Sequence, residues 1–236
     1  MGMDHGSESP CNRLNLLTEI RNLLQQKQQE EGVNLVLAGI DRHLDHYRHR
    51  HPMVGTLPDE RKELLKSAIA AITDDSLQSL ARMIATTQEQ LIWKVDTGHY
   101  YDLEDDVGQG YISGNMHTEL IGPNGCIFYD ENFSIGLFML DSCTLYRDHN
   151  HDSPELYFNL TGPSGWRFDQ GPWVELDAGS TVWNPSGRVH ATRVYHHPFF
   201  AIFSWTDCSG GICKVIQATD WSEIEQKLNG VQDGQL

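Results

Sequence analysis

The feature that most constrains the fold of this chain is a pair of separated segments in which histidines, a glutamate and turn residues recur at fixed spacing. The first segment, residues 148–157, has the sequence DHNHDSPELY and contains His149, His151 and Glu155. Residues two apart on an extended strand point to the same face, so His149 and His151 direct both imidazoles to one point. After a short turn, Glu155 and Tyr157 again share a face. One strand-turn-strand element therefore offers two imidazole nitrogens, a carboxylate and a phenol.

The second segment, residues 179–190, supplies one more histidine. Its sequence is GSTVWNPSGRVH, in which a Pro-x-Gly turn precedes His190 at the start of a predicted strand. We predict that His190 joins His149, His151 and Glu155 around one divalent transition metal ion. Three imidazoles and one carboxylate that leave coordination positions open suit Fe(II), Mn(II), Ni(II) or Zn(II), and ligand type alone does not choose among these metals.

Both segments match the two motifs of the cupin superfamily. The first motif, G-x5-H-x-H-x3-E-x6-G, is present with Gly162 in register, and the second, G-x5-P-x-G-x2-H-x3-N, with Pro185 and His190 in register. Cys143 stands at the first glycine position and Val194 at the final asparagine position, and neither position is a metal ligand. Unrelated histidines on surface hairpins are not expected to keep four ligands and three turn residues in register. The match predicts a cupin barrel, which is a double-stranded β-helix.

The rest of the sequence divides into a helical part and a β part near Trp93. Apolar residues follow helical spacing before that point, and Pro58 and Asp74 or Asp75 mark helix starts, which predicts about four helices. After it, β-branched and aromatic residues alternate between frequent turn residues, with no helix interleaved. The predicted strands are Met116–Ile121, Ile135–Leu140, Glu155–Leu160, Gly165–Phe168, Ser180–Trp183, His190–Tyr195, Phe199–Trp205 and Lys214–Gln217.

We therefore predict a mainly β protein in which a cupin barrel follows an N-terminal α-helical region. The predicted parts are a disordered tail over residues 1–11, a helical region over 12–92, a cupin β-barrel catalytic domain over 93–220, and a short C-terminal helix and tail over 221–236. The purpose of the helical region is not indicated by its sequence.

Composition narrows the range of partners. Acidic residues outnumber basic ones by 33 to 17, for a formal net charge of −16, so we expect no binding to nucleic acid or to membrane surfaces. No long apolar run or signal-peptide pattern is present, and five irregularly spaced cysteines do not resemble a disulfide framework. These features predict a soluble, cytoplasmic protein with reduced thiols. Exposed barrel faces and an additional helical layer often pair, which favours a homodimer.

A second group of histidines precedes the barrel. His43, His46 and His49 drift slowly around a helix and could form a surface metal site together with His51. The interpretation that we favour is a solvated helix end before Pro52, where cationic residues interact well with the C-terminal helix dipole.

A further set of residues is not required by metal binding. It comprises Trp93-Lys94, the turn ELIGPNG over residues 119–125, Tyr146, the triplet Glu155-Leu156-Tyr157, and Phe203-Ser204-Trp205. With these residues, the segment 93–209 resembles the cupin-type dimethylsulfoniopropionate (DMSP) lyases. The similarity covers roughly half of the chain, and the helical region shares only its general character with that family.

The resemblance implies a β-elimination that splits DMSP, the small-molecule substrate, into dimethyl sulfide and acrylate. The residues to which it assigns roles are the metal ligands His149, His151, Glu155 and His190, the candidate bases Tyr157 and Tyr146, and the pocket residues Trp205 and Tyr146. A metal bound to the substrate carboxylate would stabilise the enolate-like transition state. A free tyrosine has a pKa near 10, but a nearby divalent cation favours its phenolate, which makes Tyr157 the first choice of base. An aromatic face such as that of Trp205 suits the sulfonium cation.

Other functions stay open at this point. The same metal site serves other cupin enzymes, such as thiol dioxygenases and small-acid isomerases, and a non-catalytic cupin that binds a small ligand is a further alternative. Tyr157 and Trp205 could also be barrel-core residues whose polar ends are simply satisfied.

Overall fold

The structure is a computed structural model that describes residues 12–45, 54–102, 104–207 and 212–230. Within these ranges the helices are α1 Asn12–Gln25, α2 Val33–Leu44, α3 Lys62–Ala70, α4 Gln78–Thr87, α5 Gln109–Gly114 and α6 Trp221–Gly230. Short 3-10 turns cover Asp59–Arg61, Asp75–Leu77 and Gln88–Gln90. The Asp74 side chain accepts a hydrogen bond from the backbone N–H of Ser76 and so caps the turn that begins the fourth helix, as predicted.

Twelve strands follow one another within the described part of the chain. They are β1 Trp93–Lys94, β2 Met116–Gly122, β3 Phe128–Tyr129, β4 Ser134–Leu140, β5 Leu145–Asn150, β6 Glu155–Asn159, β7 Ser164–Phe168, β8 Val174–Leu176, β9 Thr181–Asn184, β10 His190–Val194, β11 Phe199–Trp205 and β12 Lys214–Val215. The eight predicted strands are therefore present, with small differences at their ends.

The strands form two sheets that face each other as a barrel. One sheet has seven strands in the order β1-β2-β4-β11-β6-β9, with β3 beside β2, and the other has five in the order β12-β5-β10-β7-β8. From β4 to β7 and again from β9 to β12, successive strands alternate between the two sheets. This winding is the double-stranded β-helix, so the predicted cupin fold is confirmed, and it brings the hairpins that carry the histidines together.

The N-terminal helices cover the outer face of the seven-stranded sheet. Every residue of β2 and β4 is buried, because one face looks into the barrel and the other packs on helices. Leu17 and Ile20 of α1 belong to the same apolar cluster as Leu137, Phe158 and Ile202 of the sheet. Burying a large apolar side chain contributes about 1.5–3 kcal/mol. The division near residue 93 stays a prediction, but the two parts share one core.

Several details differ from the sequence predictions. The short helix α5 interrupts the β region, which was expected to contain no helix. Four strands, β1, β3, β5 and β8, are absent from the predicted set, although the chain at His149 in β5 was expected to be extended. Cys143, at the first glycine position of the cupin motif, has a φ of 56°, so it adopts the left-handed conformation that favours glycine there. The predicted tail over residues 1–11 and His46, His49 and His51 lie outside the described residues.

Candidate metal centre and active site

The cupin histidines converge at one end of the barrel. His149 near the end of β5 is the direct cross-strand partner of His190, the first residue of β10. His151 lies in the turn that leads to Glu155, the first residue of β6. The three histidines are buried, and each offers a ligand atom within 4.8 Å of those of the other two. The structure thus brings together all four residues that the sequence predicted as ligands.

Each imidazole is held in one tautomer by a backbone carbonyl. The Nδ1 atoms of His149, His151 and His190 lie 2.7, 2.7 and 3.0 Å from the carbonyl oxygens of Arg147, Ser153 and Arg188, respectively. A carbonyl only accepts, so Nδ1 carries the proton and the Nε2 lone pair is free to face the centre. Metal-binding histidines are commonly oriented in this way.

The Glu155 carboxylate completes the cluster. Its Oε2 atom lies 3.2 Å from Nε2 of His151 and 3.3 Å from Nε2 of His190. Among the described residues, the buried Nε2 atom of His190 has no hydrogen-bond partner. Lone pairs and a carboxylate that face one another repel unless a cation lies between them. This orphaned nitrogen and the donor set fit a divalent metal ion.

The electrostatics hold His149 and Glu155 in the forms that bind metals. Burial acts to lower the pKa of His151, but the Glu155 carboxylate outweighs it and raises that pKa, which favours a proton on this imidazole unless a cation takes its place. Burial, with the neighbouring His190, lowers the pKa of His149 well below its ordinary value, which keeps this imidazole neutral at neutral pH. Burial acts to raise the pKa of Glu155, but His151 and His190 outweigh it and hold that pKa well below its usual range. A neutral imidazole and an ionised carboxylate are the ligand forms that a metal requires.

Both predicted tyrosines lie against the cluster. Tyr157 is 5% exposed and lines the same cavity as Glu155, which lies two residues before it on β6. The Tyr146 ring stacks on His149, with centroids 4.1 Å apart, and its hydroxyl pairs with that of Tyr101. Burial raises the pKa of both phenols well above the ordinary value, and a cation at the histidines would oppose this effect.

Strand alternation alone would place Tyr146 and His149 on opposite faces, since they are three residues apart. In the structure, the three residues of β10 from His190 to Thr192 lie opposite the four residues of β5 from Tyr146 to His149. This β-bulge turns both side chains inward. The predicted pocket residue Trp205 is also present, and its indole Nε1 donates a 2.8 Å hydrogen bond to Oε1 of Glu155.

The cavity beside the cluster has a volume of about 580 Å³ including its open mouth. The sequence analysis missed several of its lining residues, namely Tyr100, Tyr101, Tyr111, His117, Glu119 and Cys213. His117 and Glu119 are two apart on a predicted strand, so alternation was a signal that both point inward. The three tyrosines lie in and beside the segment before β2, where no periodicity indicates their direction.

A buried ion-pair network lies behind the five-stranded sheet. Arg167 of β7 makes a bidentate pair with Asp148, whose neighbour in sequence is His149, and both side chains are at most 4% exposed. Trp221 of α6 donates a 2.7 Å hydrogen bond from Nε1 to Oδ2 of Asp148, and Asp220 also pairs with Arg167. The network ties the C-terminal helix to the strand that carries a ligand.

The second histidine group has a different role at its one described position. The His43 ring lies 2.8 Å from the Asp130 carboxylate through Nε2 and packs near the rings of Phe128 and Phe133. His43 thus links α2 to the barrel. The other three histidines of that group lie outside the described residues.

The winding of the two sheets and the inward histidines and glutamate define a cupin. The chain belongs to the dimethylsulfoniopropionate lyase family, whose model matches residues 18–201. It is 34% identical over 86 residues to the dimethylsulfoniopropionate lyase DddQ of Ruegeria pomeroyi DSS-3, and this match covers 36% of the chain but only 42% of that relative's length. The predicted family is thereby confirmed.

Solved structures support the fold across most of the chain. The crystal structure of DddQ from Ruegeria pomeroyi DSS-3 superposes with a TM-score of 0.64 at 22% identity and covers 84% of this chain and 92% of that one. A chain from the crystal structures of the DMSP lyases RdDddP and RnDddQII gives 0.61 at 17% identity, with 87% and 98% covered. No helix among the described residues is long and apolar enough to cross a membrane.

Proposed function

We propose that this protein is a metal-dependent lyase that cleaves DMSP by β-elimination into dimethyl sulfide and acrylate. The observation that carries the proposal is the convergence of three buried imidazoles and a carboxylate at a cavity that Tyr157 also lines. Membership of the dimethylsulfoniopropionate lyase family supports the substrate. The proposed ligands are His149, His151, Glu155 and His190.

A divalent ion held by these four residues would act as a Lewis acid toward the substrate carboxylate and would favour the tyrosine phenolates near it. Which metal is bound, among Fe(II), Mn(II), Ni(II) and Zn(II), is not set by the ligand types. Because Nδ1 of each histidine is held by a backbone carbonyl, the protein keeps the imidazole rings oriented before the substrate enters.

Tyr157 is the proposed base. Its phenolate oxygen takes a proton from the carbon next to the substrate carboxylate, and the electron pair of that C–H bond forms the double bond of acrylate. The C–S bond breaks, and its electron pair leaves with dimethyl sulfide, so the sulfonium charge is lost. Tyr157 is buried on the inward face of β6, where bulk water cannot protonate it freely.

Tyr146 and Trp205 are proposed to hold the substrate. The hydroxyl of Tyr146 is fixed by its pairing with Tyr101, and its ring is clamped between His149 and Tyr111, whose centroids lie 4.1 and 4.5 Å away. Stacking on both sides fixes the orientation of the Tyr146 ring at the edge of the pocket. Tyr146 also remains the second candidate base. The indole of Trp205 presents an aromatic face to the cavity that suits a sulfonium group.

The proposal is tested by Tyr157→Phe, which removes only the hydroxyl. We expect metal content to stay near that of the unaltered protein while dimethyl sulfide release from DMSP falls below detection in the headspace above the reaction. Tyr129→Phe is the matched control, because Tyr129 is 58% exposed on the outside of the barrel, and it should keep full activity. Full activity of Tyr157→Phe would remove Tyr157 from the role of base.

Metal dependence is tested separately with a chelator. Protein stripped of metal should lose activity, and separate addition of Fe(II), Mn(II), Ni(II) or Zn(II) should restore it to different degrees. Activity that survives complete removal of metal would contradict the proposal. Location in the cytoplasm and assembly into a homodimer stay predictions from the sequence.

A further inference from the structure

A buried carboxylate inside the barrel has no part in the mechanism above. Glu119 on β2 is 8% exposed and faces the cavity together with His117. Glu155 faces the same cavity from β6, and β4 and β11 lie between these two strands in the seven-stranded sheet. Buried carboxylates in proteins are usually paired with a cation or fully hydrogen-bonded. Glu119 is neither, as its contacts show.

The contacts of Glu119 leave part of its acceptor capacity free. The backbone N–H of Asn124 donates to Oε2 over 2.9 Å, and the Asn124 side-chain amide donates to Oε1 over 3.4 Å. A carboxylate has about four acceptor positions. Among the described residues Glu119 has no ion-pair partner. Burial raises the pKa of Glu119, and Lys94, which faces His117 across the β1–β2 pair, opposes this only at longer range, so a cation beside the carboxylate would favour its ionised form.

Glu119 lies in line with the proposed base across the sheet. Tyr157 of β6 pairs with Phe203 of β11, Phe203 with Gly136 of β4, and Gly136 with Glu119. Neighbouring strands are about 4.8 Å apart, so this row spans roughly 14 Å along the curved wall. Gly136 allows β2 and β4 to approach closely, because a Cβ at this position would lie 1.8 Å from the backbone oxygen of Thr118.

Aromatic rings line the same cavity as Glu119. Phe203 and Trp205 are both partly exposed to the cavity on β11, and Tyr100 reaches it from the segment before β2, where its hydroxyl lies 3.2 Å from Nε2 of His117. Aromatic faces and a desolvated carboxylate both attract a cation that has no hydrogen to donate.

We propose that Glu119, together with the rings of Phe203 and Trp205, forms the subsite for the cationic end of the substrate and selects sulfonium carboxylates over neutral acids. This inference rests on the proposed function, in which the substrate carboxylate lies at the histidine cluster. The sulfonium loses its charge as the C–S bond breaks, so Glu119 attracts the substrate more strongly than the transition state or the neutral sulfide.

The kinetic consequence is specific. An interaction that is stronger in the ground state than in the transition state lowers KM and slightly lowers kcat, so its loss raises KM and raises kcat a little. Glu119→Gln keeps an oxygen acceptor for the Asn124 N–H but removes the charge. We expect it to raise KM for DMSP by about tenfold and to change kcat by less than about twofold.

A structural role for Glu119 is the alternative, because its carboxylate also holds the turn over residues 122–125. A variant that disturbed this turn would lower kcat or the unfolding midpoint, and that result would overturn the inference. Glu63→Gln is the matched control, since it makes the same change of net charge on the exposed surface of α3, and it should leave both KM and kcat unaltered.

Charge selection is measured directly with two inhibitors of nearly equal shape. One is the trimethylammonium analogue of DMSP, and the other carries a neutral tert-butyl group in place of the trimethylammonium group. The unaltered protein should bind the cationic analogue about tenfold more tightly in calorimetry, and Glu119→Gln should bind both equally. Equal binding of the two by the unaltered protein, or a preference that survives Glu119→Gln, would overturn the inference.

The two proposals fail separately. Metal-loaded protein that prefers the cationic analogue in a Glu119-dependent way but releases no dimethyl sulfide from DMSP would contradict the proposed lyase activity and support the subsite. Release of dimethyl sulfide without a preference for the cationic analogue would support the lyase activity and contradict the subsite.

Discussion

The two sheets of the barrel each supply part of the histidine cluster, but they are supported from behind in different ways. The seven-stranded sheet, which contributes Glu155, packs its outer face on the N-terminal helices mainly through apolar contacts such as those of Phe158. The five-stranded sheet, which contributes His149 and His190, is backed by the ion pair of Asp148 and Arg167 and by α6.

This difference concerns how precisely a strand is held. Apolar packing is non-directional, so it stabilises the sheet without setting the position of one side chain. The pair of Asp148 with Arg167 is directional, and Asp148 is next to His149 in the chain. We therefore expect the helical side to supply most of the stability and the charged side to align the proposed ligands.

The largest effect is expected from removing a ligand. His149→Ala should lower dimethyl sulfide release by at least about 1,000-fold, because several kcal/mol of transition-state stabilisation depend on the metal. Metal bound per chain, measured by elemental analysis, should fall with it. His43→Ala is the control from the other histidine group and should keep both metal and activity. Full metal content in His149→Ala would show that the cluster is not the metal site.

The apolar support is tested by Phe158→Ala, at a side chain that is 1% exposed. Loss of this ring should lower the free energy of unfolding by about 3–5 kcal/mol, measured by urea denaturation. Metal affinity of the protein that remains folded should be unaltered. Phe158→Leu, which keeps most of the volume, should lose less than about 1.5 kcal/mol. A large loss of metal affinity in Phe158→Ala would break the separation between the two sheets.

The charged support is tested by Asp148→Asn. Arg167 would keep its ion pair with Asp220 but lose the charge of its buried partner, so the free energy of unfolding should fall by about 3 kcal/mol. Metal affinity should also fall by about tenfold, since His149 loses the neighbour that holds its strand. In Asp220→Asn both effects should be smaller, because Asp220 is half-exposed. If Asp148→Asn weakens stability alone, the network does not align the ligands.

The smallest expected effect is the loss of folding stability at acidic pH. Burial lowers the pKa of His117 to about 4, against an ordinary value of 6.5 in the unfolded chain. Between these values the unfolded chain binds more protons than the folded one, so stability falls as pH falls from 6.5 toward 4. For metal-free protein we expect His117 to contribute about 2.5 kcal/mol of this loss between pH 7 and pH 4.5. His117→Gln, compared by urea denaturation at both pH values, should lose that much less stability, and equal losses would contradict the assignment.

Local patterns in the sequence were sufficient for eight of the twelve described strands and for the four residues of the cluster. The spacing of His149, His151 and Glu155 is decided by strand periodicity and one short turn, so it can be read without tertiary information. His190 was predictable because Pro185 and Gly187 stand at the spacing from this histidine that the second cupin motif requires. The inward direction of the Tyr146 side chain was not predictable, because it depends on a bulge that forms only when β5 pairs with β10.

Other parts of the site depend on contacts between distant residues. Tyr101 reaches Tyr146 from a segment 45 residues earlier, and Trp221 reaches Asp148 from 73 residues later, and no local pattern relates either pair. Glu119 is an intermediate case: alternation indicated its inward direction, but only the cross-strand register shows that it lies in one row with Tyr157.

By itself, the sequence determined the periodicity of the strands, the helical character of the N-terminal part and the identity of the four clustered residues, because these follow from short-range backbone geometry. Only the tertiary structure decided which face of the sheet the helices cover, which tyrosines enclose the cavity, and where a buried carboxylate remains without a cation. Those features are set by packing and desolvation between residues far apart in the chain, and the free energy of such contacts exists only once the barrel has closed.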